Sequence, residues 1–184
     1  LLTNYSSKRV IAVGKLDEQK GFDLLIEVWY RVSRIYPDWQ LFIFGRGPQF
    51  DLLNHRISEL NLENNVVLAG VSMNMFRELS KSSVYIMTSR FEGFPMVLLE
   101  AMSCGLPIVS FNCPHGPREV VINNFNGLLI EDFNIESMSN GVVSLLKSFE
   151  LRKVYGRNSI EMASKYAESR IMNKWLFFFS NFKK

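Results

Sequence analysis

The chain has 184 residues, of which 47% are hydrophobic, and a formal net charge of +3. This length and apolar content allow one domain with a substantial core. The mild charge excess contains no block of like charges, so nucleic-acid binding receives little support. Cys104 and Cys113 are the only cysteines and form no metal-ligand spacing with His55 or His115. A reduced, cytoplasmic compartment fits this pattern, and no apolar run approaches the roughly 18 residues of a membrane span.

Apolar segments alternate with helical patterns along the chain. The patterns predict strands at 10–14, 40–45, 66–68, 84–87, 108–111 and 128–130. Helices are predicted at 22–35, 49–60, 73–80, from Pro95 to about 104, and at 117–122. Residues from 135 onward are typical of two or three further helices. The alternation predicts an α/β domain with a doubly wound parallel sheet.

The segment 89–111, SRFEGFPMVLLEAMSCGLPIVSF, places two carboxylates around a predicted helix start. Glu92 lies just before the helix and Glu100 within it, and Gly93 permits close approach of a ligand to the backbone. Ligands of open α/β sheets bind beyond the carboxyl ends of the strands, where helix N–H groups attract anions. The segment therefore indicates a nucleotide-sugar site.

Two other nucleotide motifs are incomplete. The run GRGPQF at 45–50 has Phe where a dinucleotide fingerprint needs its third glycine. The run GKLDEQKG at 14–21 lacks the Gly-Lys-Ser/Thr end of a P-loop. Neither NAD nor ATP chemistry is favoured.

Four motifs in order resemble those of the retaining GT-B glycosyltransferases of family 4. EGFPMVLLE resembles the family's E-x7-E motif, and VIAVGKLDEQKGFDLLIEVW resembles its G-R-L-x-x-x-K-G-F-D-x-L-I segment. FIFGRGPQ resembles the strand that ends in G-x-G-P, and SFNCPHGPREVVINNFNGLLI resembles the C-P-x-G-P run. The resemblance implies a Rossmann-like, C-terminal half of a GT-B fold over residues 9–184. Residues 1–8 would be a linker remnant, and an N-terminal acceptor domain would lie outside this chain.

The resemblance also implies roles for individual residues. Lys20, and Lys15 where the family has Arg, would neutralise the leaving diphosphate; no D-x-D metal motif is present, so neither a metal nor a cofactor is expected. Solvated loop lysines are the alternative for both positions. Glu100 would bind the ribose hydroxyls, and Glu92 would contact the donor sugar, so Glu92 and Lys20 are assigned to catalysis. The other substrate-binding candidates are Gly14, Gly45, Gly47, Gly70, Val71, Gly93, Phe94, Pro95 and Met96.

The last segment, IMNKWLFFFSNFKK, carries many aromatic residues. If helical, it places Ile171, Trp175, Phe178, Phe179 and Phe182 on one broad face. Three explanations are open: packing against this domain, packing on the N-terminal domain, or contact with a membrane surface.

Together these features predict the donor-binding domain of a retaining, metal-independent glycosyltransferase, inactive by itself. The expected reaction transfers a sugar from a nucleotide diphosphate sugar, with UDP-hexose or UDP-N-acetylhexosamine favoured. The expected acceptor is a glycan or a lipid-linked molecule of surface polysaccharide or lipopolysaccharide biosynthesis at the inner membrane face. Alternatives are a non-catalytic nucleotide-binding or scaffolding module and a sucrose- or glycogen-type synthase of the same fold.

Overall fold

The computed structural model describes residues 3, 5–131 and 133–181. Within this part of the chain, six strands form one parallel sheet in the order β3-β2-β1-β4-β5-β6. This is the doubly wound order, so the predicted fold class is confirmed. The strands are β1 (Arg9–Val13), β2 (Gln40–Phe44), β3 (Val66–Gly70), β4 (Val84–Met87), β5 (Ile108–Phe111) and β6 (Gly127–Ile130).

The helices agree with the predicted ones to within a few residues. Pro95 precedes α4 rather than beginning it, because its ψ of 84° is not helical. A 3₁₀ turn at Glu18–Lys20, capped by the Asp17 side chain, was not predicted. The helices are α1 (Phe22–Ser33), α2 (Phe50–Glu59), α3 (Met75–Ser80), α4 (Met96–Ser103), α5 (Pro117–Val120), α6 (Ile135–Lys147), α7 (Phe149–Ser164) and α8 (Glu168–Asn181).

The sheet is buried on both faces, as its continuous apolar strands require. One core cluster joins the sheet to α1 and α6 around Trp29, and the other joins it to α4 around Tyr85. The chain crosses the sheet between β3 and β4, so β1 and β4 are neighbours although residues 14–83 separate them in the chain. The loops that follow β1 and β4 consequently face each other at the carboxyl edge, where ligands of such sheets bind.

The aromatic face of α8 is exposed. Trp175 stacks on Phe179 and meets Phe178 edge-on, while Trp175 and Phe179 are 51% and 59% exposed. The explanation that this face packs against its own domain is therefore wrong. Phe182, the last residue predicted for the face, lies outside the described residues. Across the described residues, no helix combines the length and the apolar character needed to cross a bilayer.

Candidate functional site

The loops after β1 and β4 are joined by an ion pair and by backbone hydrogen bonds. The Arg90 guanidinium donates to both Asp23 carboxylate oxygens, at 2.8 and 2.7 Å, and to the Glu18 carbonyl at 2.8 Å. The hydrogen bonds from Arg90 hold the pKa of the Asp23 carboxyl below its usual range. The Arg90 N–H donates to the Gln19 carbonyl at 2.8 Å. These contacts fix the segment that carries Lys20 against the segment that carries Glu92.

Gly21 allows the two loops to approach each other closely. Its φ is +62°, and a Cβ there would lie 2.2 Å from the Thr88 carbonyl oxygen. Thr88 itself donates its hydroxyl to the Lys20 carbonyl at 3.2 Å. A side chain at position 21 would therefore push apart the segments on either side of the site.

Lys20 and Glu92 form a direct ion pair between these loops. Lys20 Nζ lies 2.6 Å from Glu92 Oε1, and Ser89 donates its hydroxyl to the same oxygen at 2.6 Å. The side chains of Lys20 and Glu92 are only 20% and 6% exposed. The stem of Lys20 also packs on Gly14, where a Cβ would lie 2.9 Å from Lys20 Cγ. The two residues assigned to catalysis thus contact each other directly.

A groove of about 640 Å³ opens beside this pair, where β1, β2 and β3 end. It brings together five predicted site residues: Gly14, Lys15, Gly45, Gly47 and Val71. The remaining lining residues, which the sequence had not singled out, are Val13, Phe44, Arg46, Ser72 and Met75. The apolar members suit a flat ring such as a nucleobase, and Lys15 and Arg46 add positive charge.

The groove depends on close backbone packing at its glycines. A Cβ on Gly45, whose φ is +151°, would lie 1.8 Å from the Gly14 carbonyl oxygen, and one on Gly47 would lie 2.3 Å from the Leu16 carbonyl oxygen. The Gly45 N–H donates to the Gly70 carbonyl at 2.8 Å. Gly70 thus supports the groove through its backbone.

Five other predicted site residues do not line this groove: Gly93, Phe94, Pro95, Met96 and Glu100. Glu100 and Met96 line a second groove of about 420 Å³ together with Phe76. Burial raises the pKa of the Glu100 carboxyl. Phe94 is 45% exposed, and a Cβ added at Gly93 would meet no atom within 4 Å beyond its chain neighbours. Pro95 packs against Gly116, where an added Cβ would lie 2.4 Å from Pro95 Cδ.

Tyr85, in the middle of β4, lies within electrostatic reach of both carboxylates and was missed by sequence reasoning. Its hydroxyl donates to the Val13 carbonyl at 3.3 Å. Burial raises the pKa of Tyr85 far above its usual value, and the negative charges of Glu92 and Glu100 act in the same direction. A Tyr in a buried strand is ordinarily a core residue, so the sequence did not indicate that Tyr85 lies near the two carboxylates.

Metal-binding residues are not gathered at the site. Among the described residues, no group of three or more His, Cys, Asp or Glu side chains is placed to hold a metal ion. The cationic groups near the groove are Lys15, Lys20 and Arg46. Lys15 is 67% exposed and lies 3.4 Å from Asp17.

The sequence matches a known family over most of its length. The profile of the family described as glycosyl transferases group 1 matches residues 2–162. An uncharacterized glycosyltransferase of Haemophilus influenzae is 36% identical over 174 residues, which are 95% of this chain and 49% of the relative. A Campylobacter jejuni relative is 34% identical over 89% of this chain and 44% of its own length. Its name is N-acetylgalactosamine-N,N'-diacetylbacillosaminyl-diphospho-undecaprenol 4-alpha-N-acetylgalactosaminyltransferase.

A solved structure superposes on nearly the whole chain. It is a TarM mutant of S. aureus in complex with fondaparinux, alpha-GlcNAc-glycerol and UDP, with a TM-score of 0.90 and 30% identity. The superposition covers 97% of this chain and 36% of that one. The chain thus spans less than half the length of each of these three proteins.

Proposed function

Since the chain belongs to the group 1 glycosyl transferases, we propose that it is the donor-binding domain of a retaining enzyme that uses a UDP-hexose or UDP-N-acetylhexosamine. The observation that carries the proposal is the Lys20–Glu92 pair beside a groove at the carboxyl edge of the sheet. The groove would take the nucleobase, and Glu100 would bind the ribose. Lys20 and Lys15 would neutralise the diphosphate as the glycosidic bond breaks.

Two relatives support the donor and acceptor classes. UDP is named in the TarM complex, and a diphospho-undecaprenol acceptor is named in the Campylobacter relative. We therefore extend the proposal to a glycan or lipid-linked acceptor of surface polysaccharide synthesis, held by an N-terminal domain outside this chain. Action at the inner membrane face, through peripheral contact, follows from such an acceptor.

A thermal-shift screen of nucleotides with this chain tests the proposed donor. At a ligand concentration about 100-fold above Kd, binding stabilises a protein by about 2.7 kcal/mol. For a domain of this size we expect UDP and UDP-sugars to raise Tm by about 5 °C or more. GDP-mannose should cause a smaller shift. If none of the nucleotides raises Tm, the proposed function is contradicted.

Glu100→Gln should weaken the binding of UDP and of uridine by about tenfold each, because the proposed contact is to the ribose and is charge-assisted. Calorimetric titration with both ligands measures the effect. Glu63→Gln is a matched control, since Glu63 is exposed and lies outside both grooves. Unchanged affinities in the Glu100 variant would remove the ribose role from this residue.

A further inference from the structure

We infer that Glu92 competes with the nucleotide diphosphate for the Lys20 ammonium, so that its carboxylate weakens nucleotide binding and favours product release. This inference rests on the proposed function. It assigns Glu92 a role as counter-ion in addition to its proposed contact with the donor sugar.

The first support is the ion pair itself. Lys20 Nζ lies 2.6 Å from Glu92 Oε1, and Glu92 is almost completely buried. In the part of the chain that the structure describes, Lys20 has no other ion pair. A diphosphate that recruits Lys20 must therefore share or displace its only carboxylate partner.

The second support is that each partner is held independently of the other. Ser89 donates its hydroxyl to Glu92 Oε1, and the Glu92 N–H donates to the Pro114 carbonyl at 3.4 Å. The Lys20 stem packs on Gly14, and the Lys20 N–H donates to the Asp17 side chain at 3.3 Å. Loss of the Glu92 charge should therefore leave the ammonium near the groove and make it fully available to a phosphate.

The functional consequence concerns the product. A transferase releases its nucleoside diphosphate after every turnover, and such release limits many enzymes. An ammonium that returns to Glu92 makes the diphosphate easier to release. Where product release limits turnover, weaker binding of the diphosphate raises kcat.

The test is a calorimetric double-mutant cycle with UDP, using wild type, Glu92→Gln, Lys20→Ala and the double variant of this chain. We expect Glu92→Gln to bind UDP about tenfold more tightly than wild type. In the Lys20→Ala background the same change should alter affinity by less than about twofold. Uridine, which has no phosphate, should bind Glu92→Gln and wild type equally.

Several outcomes would overturn the inference. Unchanged UDP binding by Glu92→Gln would show that Glu92 does not compete for Lys20, and weaker binding would show that Glu92 positions Lys20 for the phosphate. Equal tightening in both backgrounds would show simple repulsion between Glu92 and the phosphate. If Glu92→Gln does not fold, Glu92→Asp withdraws the carboxylate by one methylene and should also tighten UDP binding; failure to do so counts against competition. Absence of UDP binding by wild type would instead contradict the proposed function.

Discussion

Lys20→Ala should lower the turnover of an enzyme that carries this chain by about two to three orders of magnitude at saturating donor. This is the scale for removing one preorganised group that stabilises charge in the transition state. Lys20 is mostly buried and its stem packs on Gly14, so the side chain is held beside the groove that would take the donor. Steady-state rates of sugar transfer measure the effect.

Lys15, the second proposed cation, provides a comparison for this experiment. Its side chain is 67% exposed and pairs with Asp17. Solvent screens an exposed charge, so the attraction between Lys15 and the diphosphate should be weak. Lys15→Ala should therefore lower turnover by about tenfold or less. Lys15→Arg should preserve or strengthen donor binding, because a guanidinium grips phosphate with two N–H groups. If Lys20→Ala stays within about threefold of wild type, Lys20 is only a loop lysine.

Gly45→Ala should destabilise the chain by about 3 kcal/mol and abolish UDP binding. A Cβ at this position would lie 1.8 Å from the Gly14 carbonyl oxygen, at a φ that L-residues rarely adopt. The change must therefore separate the loops after β1 and β2, which together line the groove. Urea unfolding measures the stability, and calorimetry measures the binding.

Gly93→Ala is the control substitution, at a glycine that does not line the groove. Its new Cβ would meet no atom within 4 Å beyond its chain neighbours, and the φ of Gly93 is not positive. Its stability should stay within about 0.5 kcal/mol of wild type, while UDP binding weakens because the phosphate approaches the backbone there. Wild-type stability in Gly45→Ala would contradict the packing described for the groove.

The strands were predictable because buried parallel strands carry continuous apolar runs. β4 and β5 were predicted at their observed ends, since polar turns flank each run. The 3₁₀ turn at Glu18–Lys20 was missed because it is held by local backbone hydrogen bonds and by the Asp17 cap, which leave no hydrophobic pattern. A turn of three residues, none of them buried, has no hydrophobic periodicity from which it could be predicted.

The sequence names candidate residues for the site but not the contacts between them. Lys20 and Glu92 were named from the sequence, yet their ion pair joins residues 72 positions apart and exists only because β1 and β4 are neighbours. The ion pair between Arg90 and Asp23 likewise depends on β1 and β4 being neighbours. Glu100 lies one turn into α4 and lines a second groove with Phe76. The spacing of the motif does not predict that Glu100 and α3 share this groove.

A metal-independent donor site can be tested by calorimetric titration of this chain with UDP, once with EDTA and once with Mg²⁺. We predict binding with a Kd of about 0.1–1 mM, the weak end of the usual range for enzyme ligands, because half of the cleft is open to water that screens the lysine–phosphate attraction. The affinity should be the same in both titrations, since lysines take the place of a cation. Absence of binding, or binding that requires Mg²⁺, would contradict such a site.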